Sequence, residues 1–155
     1  MAGSGGRSQI GQGTGRGQTG QGSLALRGQA HVYHLTRQEA QTSNAAVTGR
    51  LSIFCSSAYV LFDTGASHSF ITPCFVKRSW LELRQLDKLL EVSSPLGSKL
   101  LTNSGIQGCV IVFDGHELIA NLILLDVGEF DVILGIDWLS TWHATLDCFE
   151  KRVYF

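Results

Sequence analysis

No stretch of this sequence approaches the roughly 18 consecutive apolar residues of a membrane-spanning helix, so no membrane is expected among its partners. The first residues carry Arg7 but no apolar core of signal-peptide type, and no secretory leader is expected there. Cysteine is sparse and scattered. Cys55, Cys74, Cys109 and Cys148 form no C-x-x-C pair and no Cys/His spacing of a zinc finger or knuckle. That argues against a zinc module, and without a signal peptide the four read as reduced, semi-buried packing residues. No metal and no cofactor are expected. Strong charge is missing as well: the formal net charge is -1, which argues against a surface that binds nucleic acid as a whole. Nothing places a serine on a nucleophile elbow, so no Ser/His/Asp set can be argued.

What is present is one domain's worth of chain, 155 residues with 44% hydrophobic content, enough for a real core. Its charge is unevenly placed. Residues 1–30 hold Arg7, Arg16 and Arg27 and no acid, a charge of +3, which leaves -4 for the remainder. Ten of those thirty residues are glycine, and Gln, Ser, Thr and Arg supply most of the rest. Such a segment has almost nothing to bury, so residues 1–30 are expected to be a disordered linker. Its Gly-Arg and Gly-Gln repeats allow weak RNA contact, although a plain tether is the stronger expectation. Residues 31–45 form a lead-in, with Thr36 and Glu39 at capping-box spacing. The folded domain is expected over 46–155.

That domain reads as strands and two short helices. "AVTGRLSIF" alternates in polarity, a turn at Cys55-Ser56-Ser57 follows, and Ala58 to Phe62 forms the next strand. Thr72-Pro73 begins a helix, with Ile71 and Val76 at hydrophobic-staple spacing. "LLEVSSPLGSKLL" is a hairpin with a mobile tip at Ser94 to Ser98. Asp114-Gly115 is a two-residue type I′ turn sequence between apolar arms. Val132 to Leu134 is a buried strand, "IDWLSTWHA" a short helix capped by Asp137, and "TLDCFEKRVYF" a closing hairpin. The three tryptophans, Trp80, Trp138 and Trp142, are read as core or interface anchors.

One residue resists a structural explanation. Asp63 ends the apolar run Tyr59-Val60-Leu61-Phe62 and enters the turn Thr64-Gly65. Asp and Gly are both turn formers, and composition alone would produce D-[ST]-G-[AST] in such a chain about once in a hundred. The context shifts the balance: apolar residues on both sides, ending with Phe70-Ile71, place the turn inside the protein. A buried carboxylate needs partners, and Thr64, Ser67 and the N–H groups beside Gly65 are the local candidates.

"LFDTGASHSFI", followed about seventy residues on by "DVILGIDWL", resembles a retroviral-type aspartic protease, a retropepsin. More narrowly, it is similar to the protease segment of a gypsy-class LTR-retrotransposon Gag-Pol polyprotein. Asp63-Thr64-Gly65-Ala66-Ser67, Gly115-His116 between strands, and Ile133-Leu134-Gly135 before a helix match in order and spacing, over roughly 46–155. The resemblance implies a mostly β fold, the closed acid-protease barrel with one or two short helices. It implies that Asp63 is catalytic, that Thr64 braces paired loops across a two-fold axis, and that Gly65 allows close approach of substrate. Ala66 would stand where pepsin-like enzymes carry Ser, and Ile133, Leu134 and Gly135 would support the loop. Pro95, Leu96 and Gly97 would fall on the flap. The setting it implies is intracellular, a cytoplasmic retroelement particle.

The chemistry explains why one aspartate does not suffice. Hydrolysis by this route holds a water between two carboxylates about 3 Å apart, where like charges leave one shared proton. The ionised partner acts as general base and the protonated one polarises the scissile carbonyl. Yet none of Asp87, Asp114, Asp126, Asp131, Asp137 and Asp147 begins a second D-[ST]-G. The chain is half an enzyme, and a C2 homodimer would supply the second Asp63. The expected function is therefore an aspartic endopeptidase acting on its own polyprotein. Ala66, which has no hydroxyl to donate, favours activity at mildly acidic to near-neutral pH. A retropepsin-fold module that dimerises or binds peptides without catalysis is the alternative, and an RNA tether acting through three arginines a weaker third. His68 is read equally as a subsite or a loop residue, His116 as structural and His143 as a surface or interface residue.

Overall fold

A computed structural model of the chain describes residues 28–31, 46–93 and 99–155. The Gly-rich residues before 28, the Thr36/Glu39 capping box and Pro95, Leu96 and Gly97, expected on the flap, lie outside them. The described strands are β1 (Gly28–His31), β2 (Val47–Ile53), β3 (Ser56–Phe62), β4 (Phe70–Ile71), β5 (Arg84–Ser93), β6 (Lys99–Phe113), β7 (His116–Leu124), β8 (Val132–Leu134), β9 (Thr145–Asp147) and β10 (Arg152–Tyr154). Two helices join them, α1 (Pro73–Arg78) and α2 (Ile136–Thr141). The fold is mostly β, as the residue pattern indicates.

Six strands close on themselves. β6, β2, β3, β8, β4 and β7 are hydrogen-bonded in that order, and β7 pairs again with β6. Closure removes the open edges that a flat sheet would expose. The fifteen-residue β6 makes this possible: one half pairs with β2 and β7, while the other runs beyond the ring beside β5. β1 then lies parallel to β5, on its outer side.

β3 is the strand that matters most for the site. It runs antiparallel to β2 and parallel to β8. Its side chains alternate between two buried clusters. Ala58, Val60 and Phe62 join Ile53, Phe75, Ile111 and Leu134, while Tyr59 and Leu61 join Phe70, Phe130 and Ile133. Both faces are covered, which is why the run before Asp63 is continuously apolar. Phe130 stacks on Tyr59 with ring centroids 5.3 Å apart. Below them Asp131 accepts the Tyr59 N–H at 2.8 Å and pairs with Arg78 at 3.1 Å.

Local signals act where they were read. Thr72 Oγ1 accepts the Phe75 N–H at 3.3 Å, with Pro73 opening α1. Asp114 and Gly115 both have positive φ, 47° and 79°, between the paired residues Phe113 and His116. The type I′ turn is the one whose twist suits the strands.

Four expectations need correction. The β2–β3 turn is Phe54-Cys55, since Ile53 pairs with Ser56, and it is tighter than a Cys55-Ser56-Ser57 turn. Trp80 is 92% exposed, which rules out the core alternative for it and leaves the interface one, whereas Trp138 is buried and Trp142 packs against the core. The cysteines are not uniformly semi-buried: Cys55 and Cys74 are exposed, Cys148 is half-buried and Cys109 is buried. Burial pushes the Cys109 thiol up to about 12, so it stays protonated and inert. Asp137 does not cap α2, whose N-cap is Gly135; its actual partners belong to the site.

The Phe54-Cys55 turn carries a testable cost. Both residues are left-handed, at φ 45° and 62°, without the glycine or asparagine that such a turn favours. Phe54→Asn combined with Cys55→Gly is expected to raise stability by about 1 kcal/mol, relieved strain outweighing the extra unfolded-state freedom of glycine. Thermal unfolding measures this, and a lower midpoint would mean that Phe54 contributes more by packing than it loses by strain.

Candidate active site

Asp63 stands where β3 ends, at the head of a loop, residues 63–69, that leads into β4. The loop lies on the segment that ends β8 and starts α2. Three hydrogen-bonded points fasten it. The Asp63 N–H donates to Leu134 O at 3.0 Å, and the Ile136 N–H donates to Ala66 O at 2.8 Å. At the far end, Ser69 donates to Asp137 from its N–H (3.1 Å, to Oδ2) and its hydroxyl (2.7 Å, to Oδ1). The Ser69 hydroxyl also accepts the Gly135 N–H at 3.0 Å.

Gly135 is required by this stacking rather than by its own conformation. Its φ of -89° and ψ of -173° are open to any residue. A Cβ there would fall 2.3 Å from His68 O and 2.7 Å from Ala66 O. Both are backbone atoms, so no rotamer change makes room.

The carboxylate itself is half satisfied. Asp63 Oδ1 accepts the Gly65 N–H at 2.8 Å. Oδ2 is buried and accepts nothing from the described residues. Leaving such an acceptor unpaired costs about 1–3 kcal/mol, so it is an anomaly that calls for a partner. Burial raises the carboxyl pKa above its ordinary value, with the N–H groups of Gly65 and Ala66 pulling it back down. A carboxyl held this way can carry a proton where a surface aspartate would have lost it. Thr64 and Gly65 beside it are exposed, while Ala66 is fully buried.

The retroviral aspartyl protease family model matches residues 27–155. The chain belongs to the retroviral aspartyl protease family. Solved structures agree on the fold. The retroviral protease-like domain of Ddi1 from Leishmania major superposes with a TM-score of 0.54 at 16% identity, covering 71% of this chain and 85% of that one. EIAV protease in complex with an inhibitor gives 0.53 at 23% identity, covering 65% and 91%. No curated protein matches the sequence.

On this retroviral aspartyl protease framework, the residues singled out in the sequence fall in two layers. Asp63, Thr64, Gly65, Ala66 and Ser67 form the loop. Ile133, Leu134 and Gly135 form the floor, with Ile133 in the cluster of Leu61 and Leu134 in that of Phe62. The Ser67 hydroxyl and His68 Nδ1 lie 3.0 Å apart, and both side chains are half-buried. His116 and His143 are exposed. The residues expected on the flap lie outside the described residues; the strands on either side of them, β5 and β6, pair up to Ser93 and Lys99.

Two residues of the site escaped the sequence reading. Ser69 passes for one more small polar residue in "ASHSF", and Asp137 passes for a helix cap. Their connection spans 68 positions, and no local pattern announces it. Locally, each is marked only by its place beside a motif, Ser69 after Asp63–Ser67 and Asp137 after Ile133–Gly135.

Proposed function

We propose that this chain is an aspartic endopeptidase that works as a symmetric pair, with a water held between two copies of Asp63. One observation carries the reading: the buried Oδ2 of Asp63, a hydrogen-bonding atom without a partner among the described residues of one protomer. Family membership supports the reaction type, and the symmetric pair is supported by the sequence, which holds no second D-[ST]-G.

In the pair, one Asp63 is ionised and takes a proton from the water as that water attacks the scissile carbonyl. The other is protonated and donates to the carbonyl oxygen. The two titrate as a unit, and the proton returns to the leaving amine. Burial favours keeping that shared proton. Thr64, exposed in the single protomer, would meet its counterpart across the axis, and substrate would lie between the loop and the flap carried by β5 and β6. The substrate is a polypeptide, and the retroelement polyprotein that contains the chain is the one proposed.

Mixing tests the shared site directly. Wild-type chains equilibrated with an equal amount of Asp63→Asn chains are expected to keep about a quarter of the undiluted activity, the fraction of pairs with two intact copies. Sedimentation over the same concentrations should show a dimer. Activity falling only to half, as simple dilution requires, would mean that each chain works alone. Because Ala66 brings no hydroxyl to the pair, cleavage should peak at mildly acidic to near-neutral pH, and an optimum near about pH 2 would contradict this.

A further inference from the structure

We infer that Ser69 and Asp137 are positioning residues that set the direction of the Asp63 carboxylate by clamping the far end of its loop. The inference rests on the endopeptidase reading above. Ser69 is fully buried; its N–H and hydroxyl are both used by the short segment 135–137, while its carbonyl accepts the Ile123 N–H of β7 at 2.9 Å. Its N–H goes to Asp137 Oδ2 and its hydroxyl to Oδ1, so one carboxylate grips both the backbone and the side chain of the same residue. Oδ1 also accepts the Trp138 N–H at 2.8 Å, which fixes the carboxylate on the first turn of α2. The serine oxygen in turn accepts the Gly135 N–H, one residue after the Leu134 carbonyl that holds Asp63. Loop and floor are thus tied at both ends, with Gly135 between them.

Bonds to an ionised acceptor are shorter and stronger than neutral ones. Removing the serine oxygen leaves the Gly135 N–H buried without its acceptor, and the loop is then free to slide over the only floor residue without a Cβ. A shift of about 1 Å in a reacting group costs on the order of 10²-fold in rate. The clamp touches neither the water nor the substrate, so the loss should appear in kcat and spare KM.

The test uses the full chain and a peptide substrate, with kcat normalised to sites titrated by a tight-binding transition-state inhibitor. Ser69→Ala and Asp137→Asn are each expected to lower kcat by about 10- to 100-fold with KM little changed. Their combination should be scarcely worse than either alone, because both remove one clamp. Asp137→Asn keeps the shape of the side chain and covers the case in which Ser69→Ala does not fold. Equal kcat per titrated site in all variants, or fully additive losses, would overturn the inference.

A second readout does not depend on cleavage. In carboxyl-labelled protein, Asp63 should titrate above the ordinary aspartate range in the wild type and move back toward it in Ser69→Ala as water enters. An unchanged titration overturns the clamp. A wild type that cleaves nothing but still shows this loss defeats the endopeptidase reading and keeps the clamp. A wild type that cleaves no better than the clamp variants, all with the same Asp63 titration, does the reverse.

Discussion

Replacing Asp63 by asparagine is expected to lower peptide cleavage by about two to four orders of magnitude while leaving the chain folded. The amide has the shape of the carboxylic acid, and its oxygen can still accept the Gly65 N–H that Oδ1 accepts at 2.8 Å. What it cannot do is exchange a proton with a bound water. In the proposed pair both catalytic roles vanish together, because the substitution falls on both sides of the axis. The stability change should have the opposite sign at neutral pH. Asp63 has a folded-state pKa above its unfolded value, so its contribution to stability is complete below the ordinary carboxylate range. That contribution is lost as pH rises through the raised value. Asparagine has no proton to lose, so the variant should match or exceed the wild type in thermal stability at neutral pH. The difference should shrink in acid. Undiminished kcat/KM in the variant would remove Asp63 from the mechanism. A lower melting point at neutral pH would mean that its charge is stabilised by a group other than the two backbone N–H groups.

Much of the fold was legible because its decisive signals are short. The Thr72-Pro73 start of α1, the Asp114-Gly115 turn and the alternation of Val47 to Ile53 each act within a few residues. The catalytic candidate was legible for a related reason, since a charge at the end of a doubly buried strand is locally anomalous. Other features depend on distance. β8 lies parallel to β3, pairing Val60 with Val132, and nothing in either segment names the other. β4 has two residues, too short for any periodicity, and is a strand because β8 and β7 flank it. The Phe54-Cys55 turn was misplaced by one residue because the seven-pair β2–β3 ladder imposes a left-handed turn on residues that do not favour it. Trp80 stays out of the core for a different reason. Aromatic bulk usually signals burial, but here a left-handed residue just past α1 turns the ring outward. Ser69 and Asp137 show the same limit within the site, two ordinary polar residues whose role exists only once α2 lies under the loop.

Gly135→Ala should be the most disruptive glycine-to-alanine change among the described residues, since three backbone atoms lie within 2.7 Å of the added carbon. Backbone strain cannot be the cause, because the glycine is already extended. The added carbon meets His68 O at 2.3 Å, and Ala66 O and the His68 carbonyl carbon at 2.7 Å, so it drives the loop away from the floor. That displacement stretches the Ile136 N–H to Ala66 O bond and the Gly135 N–H to Ser69 bond. Overpacking typically costs 1–3 kcal/mol and each weakened buried hydrogen bond about 1 kcal/mol, so a loss of about 3 kcal/mol is expected. The folded remainder should also be impaired. In the proposed pair, moving the loop by about 1 Å shifts Asp63 from the axis and lowers kcat on the order of 10²-fold. Gly49→Ala provides the comparison, since a Cβ there meets nothing within 4 Å. It should be neutral or slightly stabilising, because alanine restricts the unfolded chain. Thermal midpoints and kcat per folded site, taken for both variants, separate the contributions. If Gly135→Ala melted and cleaved like Gly49→Ala, the loop would not be seated on Gly135. The buried Oδ2 of Asp63 would then owe its position to something other than this floor.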